Sequence, residues 1–199
     1  HTNRVLTLAT QLNNNKENDM GMDVYGLNPT TEAPAQPNEN MPEEWREKAW
    51  QDYFDGQALS GQYFRNNVWF WRPLWDYVCE LCSEVITEED YDLGHGNSGH
   101  EIDGETCKYI ANALKIELDN GGVESYKVLY DRAIEAMPLV ECDICDGSGQ
   151  RNDEYVQGDC NGCQGKGERK HFDTGYPFEV DNVKEFQHFV ENCGGFSIC

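Results

Sequence analysis

Long apolar runs are missing from this 199-residue chain. No segment approaches a signal-peptide core or the roughly 20 residues that cross a bilayer, so no membrane association is expected. Positive charge is scarce: 15 Lys and Arg stand against 37 Asp and Glu, a formal net charge of −22 at neutral pH. The imbalance is about −11 in each half, so it is not the property of a tail. General nucleic-acid binding needs cations that neutralise phosphates and release counterions, and is therefore disfavoured. Signatures of common chemistry are also lacking. There is no phosphate loop, dinucleotide fingerprint, Gly-x-Ser-x-Gly elbow or His-Glu-x-x-His helix. Carboxylates are so abundant that nominating any pair as acid and base would be uninformative, and an enzyme is not the leading class. At this length the chain can bury one core plus a small satellite, but not two full-sized domains.

Cysteine is what the chain does have. Cys142-Asp-Ile-Cys145-Asp-Gly-Ser-Gly149 is followed by Cys160-Asn-Gly-Cys163-Gln-Gly-Lys-Gly167, two copies of Cys-x-x-Cys-x-Gly-x-Gly. Each Cys-x-x-Cys turn aims two sulfurs at one centre, and two such turns complete the tetrahedron that Zn²⁺ prefers. The glycines permit positive φ, letting the chain fold back beneath the metal with its N–H groups near the sulfurs. One structural Zn²⁺ per chain, held by Cys142, Cys145, Cys160 and Cys163, is the expectation. A complete thiolate shell leaves no position for water or substrate, which argues against a catalytic metal. The chain has nine cysteines, but its Cys-x-x-Cys pairs have metal spacing and no segment is leader-like, which points to a reducing, cytoplasmic setting. The basic cluster Arg151, Lys166, Arg169 and Lys170 lies in the same stretch, but six acids accompany it.

The paired knuckles resemble the cysteine-rich zinc domain of DnaJ-type chaperones, in which such units pair two by two around each zinc. Only residues 140–170 carry this resemblance. The J-domain His-Pro-Asp motif and the other two cysteine units are absent, so co-chaperone activity is not implied. A second resemblance covers most of the chain. Met20 to Pro29 (MGMDVYGLNP), Tyr63 to Trp75 (YFRNNVWFWRPLW), Tyr176 to Phe186 and the Gly194-Gly-Phe ending are similar to a family of small proteins found mostly in phages, whose activity is not established. Residues 31–60 look like an insertion relative to that family, and residues 1–19 precede its usual start. The resemblance implies a viral context, the host-cell cytoplasm or association with the virion, and no mechanism.

Patterning predicts an α+β fold: several helices and a short aromatic-rich sheet forming one compact domain, with a zinc-knuckle hairpin module. Residues 1–41 read as an extended N-terminal segment and linker, held by a partner or a neighbouring copy. Residues 42–139 and 172–199 form the core, and residues 140–171 are the inserted zinc module. A helix starts at Pro42 and stops at Gly56, with Trp45, Ala49, Trp50, Tyr53 and Phe54 on one face. Tyr63 to Trp71 reads as a strand ended by Pro73. Trp69, Trp71 and Trp75 either fill the core or make a stacking surface, core packing being the better reading. Helices over Glu105–Asp119 and Val123–Met137, parted by Gly121-Gly122, should form an antiparallel hairpin. A last helix runs from Asn182 to Asn192 with Asp181 as N-cap.

Cys79, Cys82, His95 and His100 have the spacing of a Cys₂His₂ finger and are a possible second metal site, with Cys107 able to replace a histidine. Against it, three glycines between Gly94 and Gly99 cannot hold both histidines on a helix. The same loop, with His95, Asn97, Ser98, His100, Glu101 and Asp103, is either a ligand-binding surface or a capping loop for the following helix. Together these features lead to an acidic, zinc-stabilised accessory or assembly protein of phage type, acting through protein–protein contacts or self-assembly. Two alternatives stay open: an inhibitor that mimics nucleic acid by presenting carboxylates to a host enzyme, and a zinc-ribbon nucleic-acid binder.

Overall fold

The computed structural model describes residues 21–38 and 40–199. The expectation that residues 1–41 are held by a partner or a neighbouring copy falls, for residues 1–20 and 39, outside the described residues. The fold is α+β, with two compact units. Among the described residues, the larger comprises those up to Val128 together with Pro177–Cys199, and the smaller is Leu129–Tyr176.

The larger unit is built on a four-stranded antiparallel sheet. Its strands are β1 (Gly21–Gly26), β2 (Tyr63–Asn67), β3 (His100–Ile102) and the last strand, β8 (Phe196–Ile198), in the order β2-β1-β8-β3. Strand alternation sets the core face. Val24 lies opposite both Phe64 and Ile198, and Met22, Ile102 and Phe196 join them on the buried side. The expectation of an extended segment through residue 41 is therefore corrected at Gly21–Gly26. Alternation of Met22 and Val24 with polar neighbours makes this stretch an interior strand rather than linker.

Helix α2 (Val68–Leu81) covers that face, and it overturns the reading of Tyr63 to Trp71 as one strand. The strand ends at Asn67, whose side chain accepts hydrogen bonds from the Trp69 and Phe70 N–H groups and so starts a helix. Pro73 sits inside it at a cost of about 3 kcal/mol. Burying Trp71, Leu74, Trp75 and Val78 on one stripe outweighs this, at about 1.5–3 kcal/mol for each large apolar side chain. The Trp71 and Trp75 rings stack at 5.6 Å, and their Nε1–H groups donate to the Gly94 and Tyr91 carbonyls. These two tryptophans are core, as the packing reading had it.

The other helices are α1 (Glu43–Leu59), α3 (Glu88–Gly94), α4 (Gly104–Asn120), α5 (Gly122–Glu135) and α6 (Val180–Asn192). Helix α1 continues through Gly56 for three more residues, and none of its side chains is fully buried. Helix α4 buries Cys107, Ile110, Ala111 and Leu114 and packs on α6, not on α5. The predicted hairpin fails because Gly121 alone joins α4 to α5, too short a link for antiparallel neighbours. Helix α6 presents Val183, Phe186 and Val190 inward as the periodicity requires. It starts at Val180, two residues early. Asp181 lies in its first turn paired with Lys184 instead of capping it.

The smaller unit holds the second half of α5 and four short strands, β4 (Val140–Glu141), β5 (Gln150–Asn152), β6 (Gln157–Asp159) and β7 (Glu168–Arg169), before a 3-10 turn at Phe172–Gly175. It is longer at both ends than the 140–171 module expected. Strand β4 pairs with β7 and β5 with β6, so each cysteine knuckle bridges one ladder to the other.

Candidate metal centre

Each knuckle is shaped by the same backbone bonds. In the first, the Gly147 N–H donates to the Cys142 carbonyl and the Ser148 N–H to that of Cys145. In the second, Gly165 donates to Cys160 and Lys166 to Cys163. The halves also close on each other: the Cys142 N–H donates to the Gly167 carbonyl and the Cys160 N–H to the Gly149 carbonyl, both at 2.8 Å. The sequence repeat is thus a structural two-fold.

Gly149 and Gly167 make this possible. Their φ values are 72° and 77°, and a Cβ on Gly149 would lie 2.4 Å from the Gly165 carbonyl oxygen, one on Gly167 2.3 Å from that of Gly147. Their N–H groups point at the sulfurs, Gly149 to Cys145 Sγ at 3.3 Å and Gly167 to Cys163 Sγ at 3.2 Å. Such donors stabilise thiolate charge.

The four Sγ atoms of Cys142, Cys145, Cys160 and Cys163 all lie within 4.8 Å of one another and are buried. Cys142 and Cys160 are 4.0 Å apart at sulfur, Cys145 and Cys163 3.7 Å. A tetrahedron with metal–sulfur bonds of ~2.3 Å has sulfur–sulfur edges of ~3.8 Å, so the cluster has the dimensions of a tetrathiolate shell. It can hold a metal ion. At Cys163, burial opposes ionisation, yet the Gly167 N–H and the neighbouring thiols bring the thiol down to about 7.

Among the described residues no other group of three or more Cys, His, Asp or Glu side chains converges in this way. Cys79, Cys82, His95 and His100 are not gathered. Cys79 lies on α2 and Cys82 caps its C-terminus, where burial pushes both thiols up, Cys82 to about 12. His95 caps α3 with Nε2 3.2 Å from Asp76, and His100 lies on β3 with Nε2 2.8 Å from Asp90. Each imidazole has a carboxylate partner, not a thiolate. Cys107 is buried in α4 against Cys193.

The glycine-rich loop resolves the same way. Asp103 caps α4 by accepting from the Glu105 and Thr106 N–H groups, which hold its carboxyl below the usual range, and Asn97 donates to the Gly21 carbonyl. Its polar groups secure the turn between α3 and α4. In the zinc-loop cationic cluster, Arg151 pairs with Asp153 and Arg169 with Asp143. Two of the four cations nominated for nucleic acid are therefore neutralised locally.

No family model, curated protein or solved structure matches the chain.

Proposed function

We propose that this chain is an acidic accessory or assembly protein of phage type that works through protein–protein contacts, with one structural Zn²⁺ held by Cys142, Cys145, Cys160 and Cys163. The observation that carries the reading is the closed thiolate shell. Four buried sulfurs at tetrahedral spacing use every coordination position, so the metal acts as a staple and not as a reagent. The all-sulfur donor set with N–H bonds to sulfur favours zinc over a hard cation.

A contact role is supported by what the small unit exposes. Tyr155, at the turn of the β5–β6 hairpin, is 81% exposed, and Leu139 and Phe172 are also open to solvent. The Asp153 carboxylate fixes that turn by accepting from the Tyr155 and Val156 N–H groups. Aromatic side chains on a rigid frame are favourable anchors for a protein partner. The phage context rests on the motif resemblance alone.

Elemental analysis of protein purified without added metal tests the first half, with one zinc per chain expected. Crosslinking and mass spectrometry of the holo chain in phage-producing cells tests the second, with a discrete protein partner expected. A metal-to-protein ratio near zero refutes the staple. A holo chain that is monomeric and crosslinks to nothing refutes the contact role.

A further inference from the structure

Helix α1 is the anomaly of the larger unit. It has 17 residues and an aromatic face, but buries none of them fully. Trp50, Tyr53 and Phe54 are only part-buried. Their rings run on into the outer face of the sheet: Trp50 lies 5.9 Å from Phe54, Phe54 6.4 Å from Tyr63, and Tyr63 5.1 Å from Tyr25 across the β1–β2 ladder. Tyr25 is 47% exposed. The result is a continuous aromatic strip about 17 Å along its ring centres.

Unopposed acidic groups attend its helical end. Glu43 and Glu47 precede Trp50 and Phe54 at helical i, i+4, i+7 and i+11 positions, so they lie on the same stripe. Neither has an ion-pair or hydrogen-bond partner among the described residues. At the far end Asp23 accepts the Tyr63 hydroxyl and faces Arg65 across the β1–β2 ladder, so the open carboxylates are those of Glu43 and Glu47. Of the two cations on α1, Lys48 is committed to Asp52 and Arg46 reaches the Met41 carbonyl.

We propose that this strip is a docking surface for an extended, arginine-bearing segment of a partner protein. The inference deepens the contact role proposed above by naming one surface and the chemistry of its partner. At ~3.3 Å per residue, five or six extended residues span the strip, so alternate side chains reach successive rings. A guanidinium stacks on an aromatic face while its N–H fork meets a carboxylate, and the strip supplies both. Charge complementarity selects the occupant. A second copy, an anionic membrane and a nucleic acid each bring more negative charge to a chain already at −22, whereas a basic segment is drawn in.

The test uses the holo chain and two fluorescein-labelled hexapeptides, one alternating arginine and glycine, the other lysine and glycine, read by anisotropy at 150 mM salt. The arginine peptide should bind several-fold tighter than the lysine peptide. Trp50→Leu and Tyr25→Ser should each weaken it roughly three- to five-fold, the size of an exposed cation–π contact, with the melting temperature checked in parallel. Glu43→Gln with Glu47→Gln should weaken binding and flatten its salt dependence. Glu88→Gln with Glu89→Gln on α3 removes the same charge elsewhere and should change affinity less than two-fold. Equal binding of both peptides, or equal loss from the two charge pairs, would mean bulk acidity alone and overturns the proposal. So does self-association or binding to anionic vesicles that Trp50→Leu abolishes while the peptide stays unbound. A crosslinked partner that survives in folded Trp50→Leu and Tyr25→Ser chains refutes this surface and leaves the general contact role standing. Peptide binding with no cellular partner does the reverse.

Discussion

Replacing Gly149 by alanine separates the cost of a left-handed backbone from the cost of the paired-knuckle architecture. Gly121 is the control, because its φ of 78° nearly equals the 72° of Gly149 but nothing lies within 4 Å of a Cβ placed there. An L-residue in this region costs about 1–2 kcal/mol, partly offset by the stiffer unfolded chain, so Gly121→Ala should lose about 1 kcal/mol. Gly149→Ala carries the same penalty, and its Cβ would also stand 2.4 Å from the Gly165 carbonyl oxygen, a backbone atom. Relief needs a shift of about 1 Å between the knuckles, enough to break both the Cys160 N–H bond to the Gly149 carbonyl and the Gly149 N–H bond to Cys145 Sγ. At ~1–1.5 kcal/mol per buried bond, the total is ~3–4 kcal/mol. The excess over the control, ~2–3 kcal/mol, corresponds to roughly 30- to 150-fold weaker metal binding. Competition with a chromophoric chelator measures it. Gly121→Ala, in the larger unit, should leave metal affinity unchanged, and a loss of only about five-fold for Gly149→Ala, the left-handed cost alone, would refute the interlocked geometry and leave the knuckles as independent turns.

Four further outcomes follow from the same structure. Cys160→Ser should release the metal and speed amide exchange across residues 140–170 while the near-ultraviolet signal of the Trp71–Trp75 core persists; loss of both together would contradict two separate units. Tyr77 is packed against Tyr126 and Phe178, its hydroxyl buried with no hydrogen-bond partner among the described residues. Tyr77→Phe should therefore be neutral or up to ~1 kcal/mol stabilising in urea unfolding, and a clear loss would reveal a hidden bond. Asp90 is held below the ordinary carboxylate range: burial opposes this, but hydrogen bonds from Thr87 and His100 outweigh it. Its contribution is full above the unfolded carboxylate range and disappears as pH falls through the depressed folded value. Asp90→Asn should thus cost part of the ~1 kcal/mol of a cap near pH 7 and nothing near pH 2, as read from denaturation midpoints. DNA and RNA should show no measurable anisotropy change at physiological salt, where repulsion acts over a Debye length of ~8 Å. Salt-sensitive micromolar binding lost on replacing Lys166, Arg169 and Lys170 would reverse this.

Local features were legible in the sequence to the extent that their physics is local. The knuckles could be read because ligand spacing and the glycine positions are both fixed by one turn of chain. Asp103 as a cap and the buried stripe of α4 follow from neighbours three or four residues away. Helix α2 was misread because aromatic and β-branched composition, with Pro73, outweighed a helical pattern that was present: Trp71, Leu74, Trp75 and Val78 fall at i, i+3, i+4 and i+7. The pairing of β1 with β8, and of α4 with α6, joins residues far apart in the chain. No local propensity encodes such choices. The acid-rimmed strip depends on them too, since Tyr25 meets Phe54 through Tyr63 only once β1 and β2 are in register.

The smaller unit shows why four cysteines had to be there. Between Leu129 and Tyr176 the only fully buried residues are the four cysteines, Gly149, Gly167 and Tyr176. Two of these have no side chain, and the Tyr176 carbonyl is occupied by the Tyr130 hydroxyl. A unit this small, with no aliphatic interior among the described residues, falls well short of the apolar burial that offsets chain entropy. Its two ladders have two and three residue pairs, and isolated hairpins of that length are marginal in water. A structural zinc contributes on the order of 10–16 kcal/mol in small cysteine-rich folds, the right size to close that gap. The metal would therefore stand in place of a hydrophobic core. Side chains that other small units turn inward are free to face out, as Tyr155, Leu139 and Phe172 do.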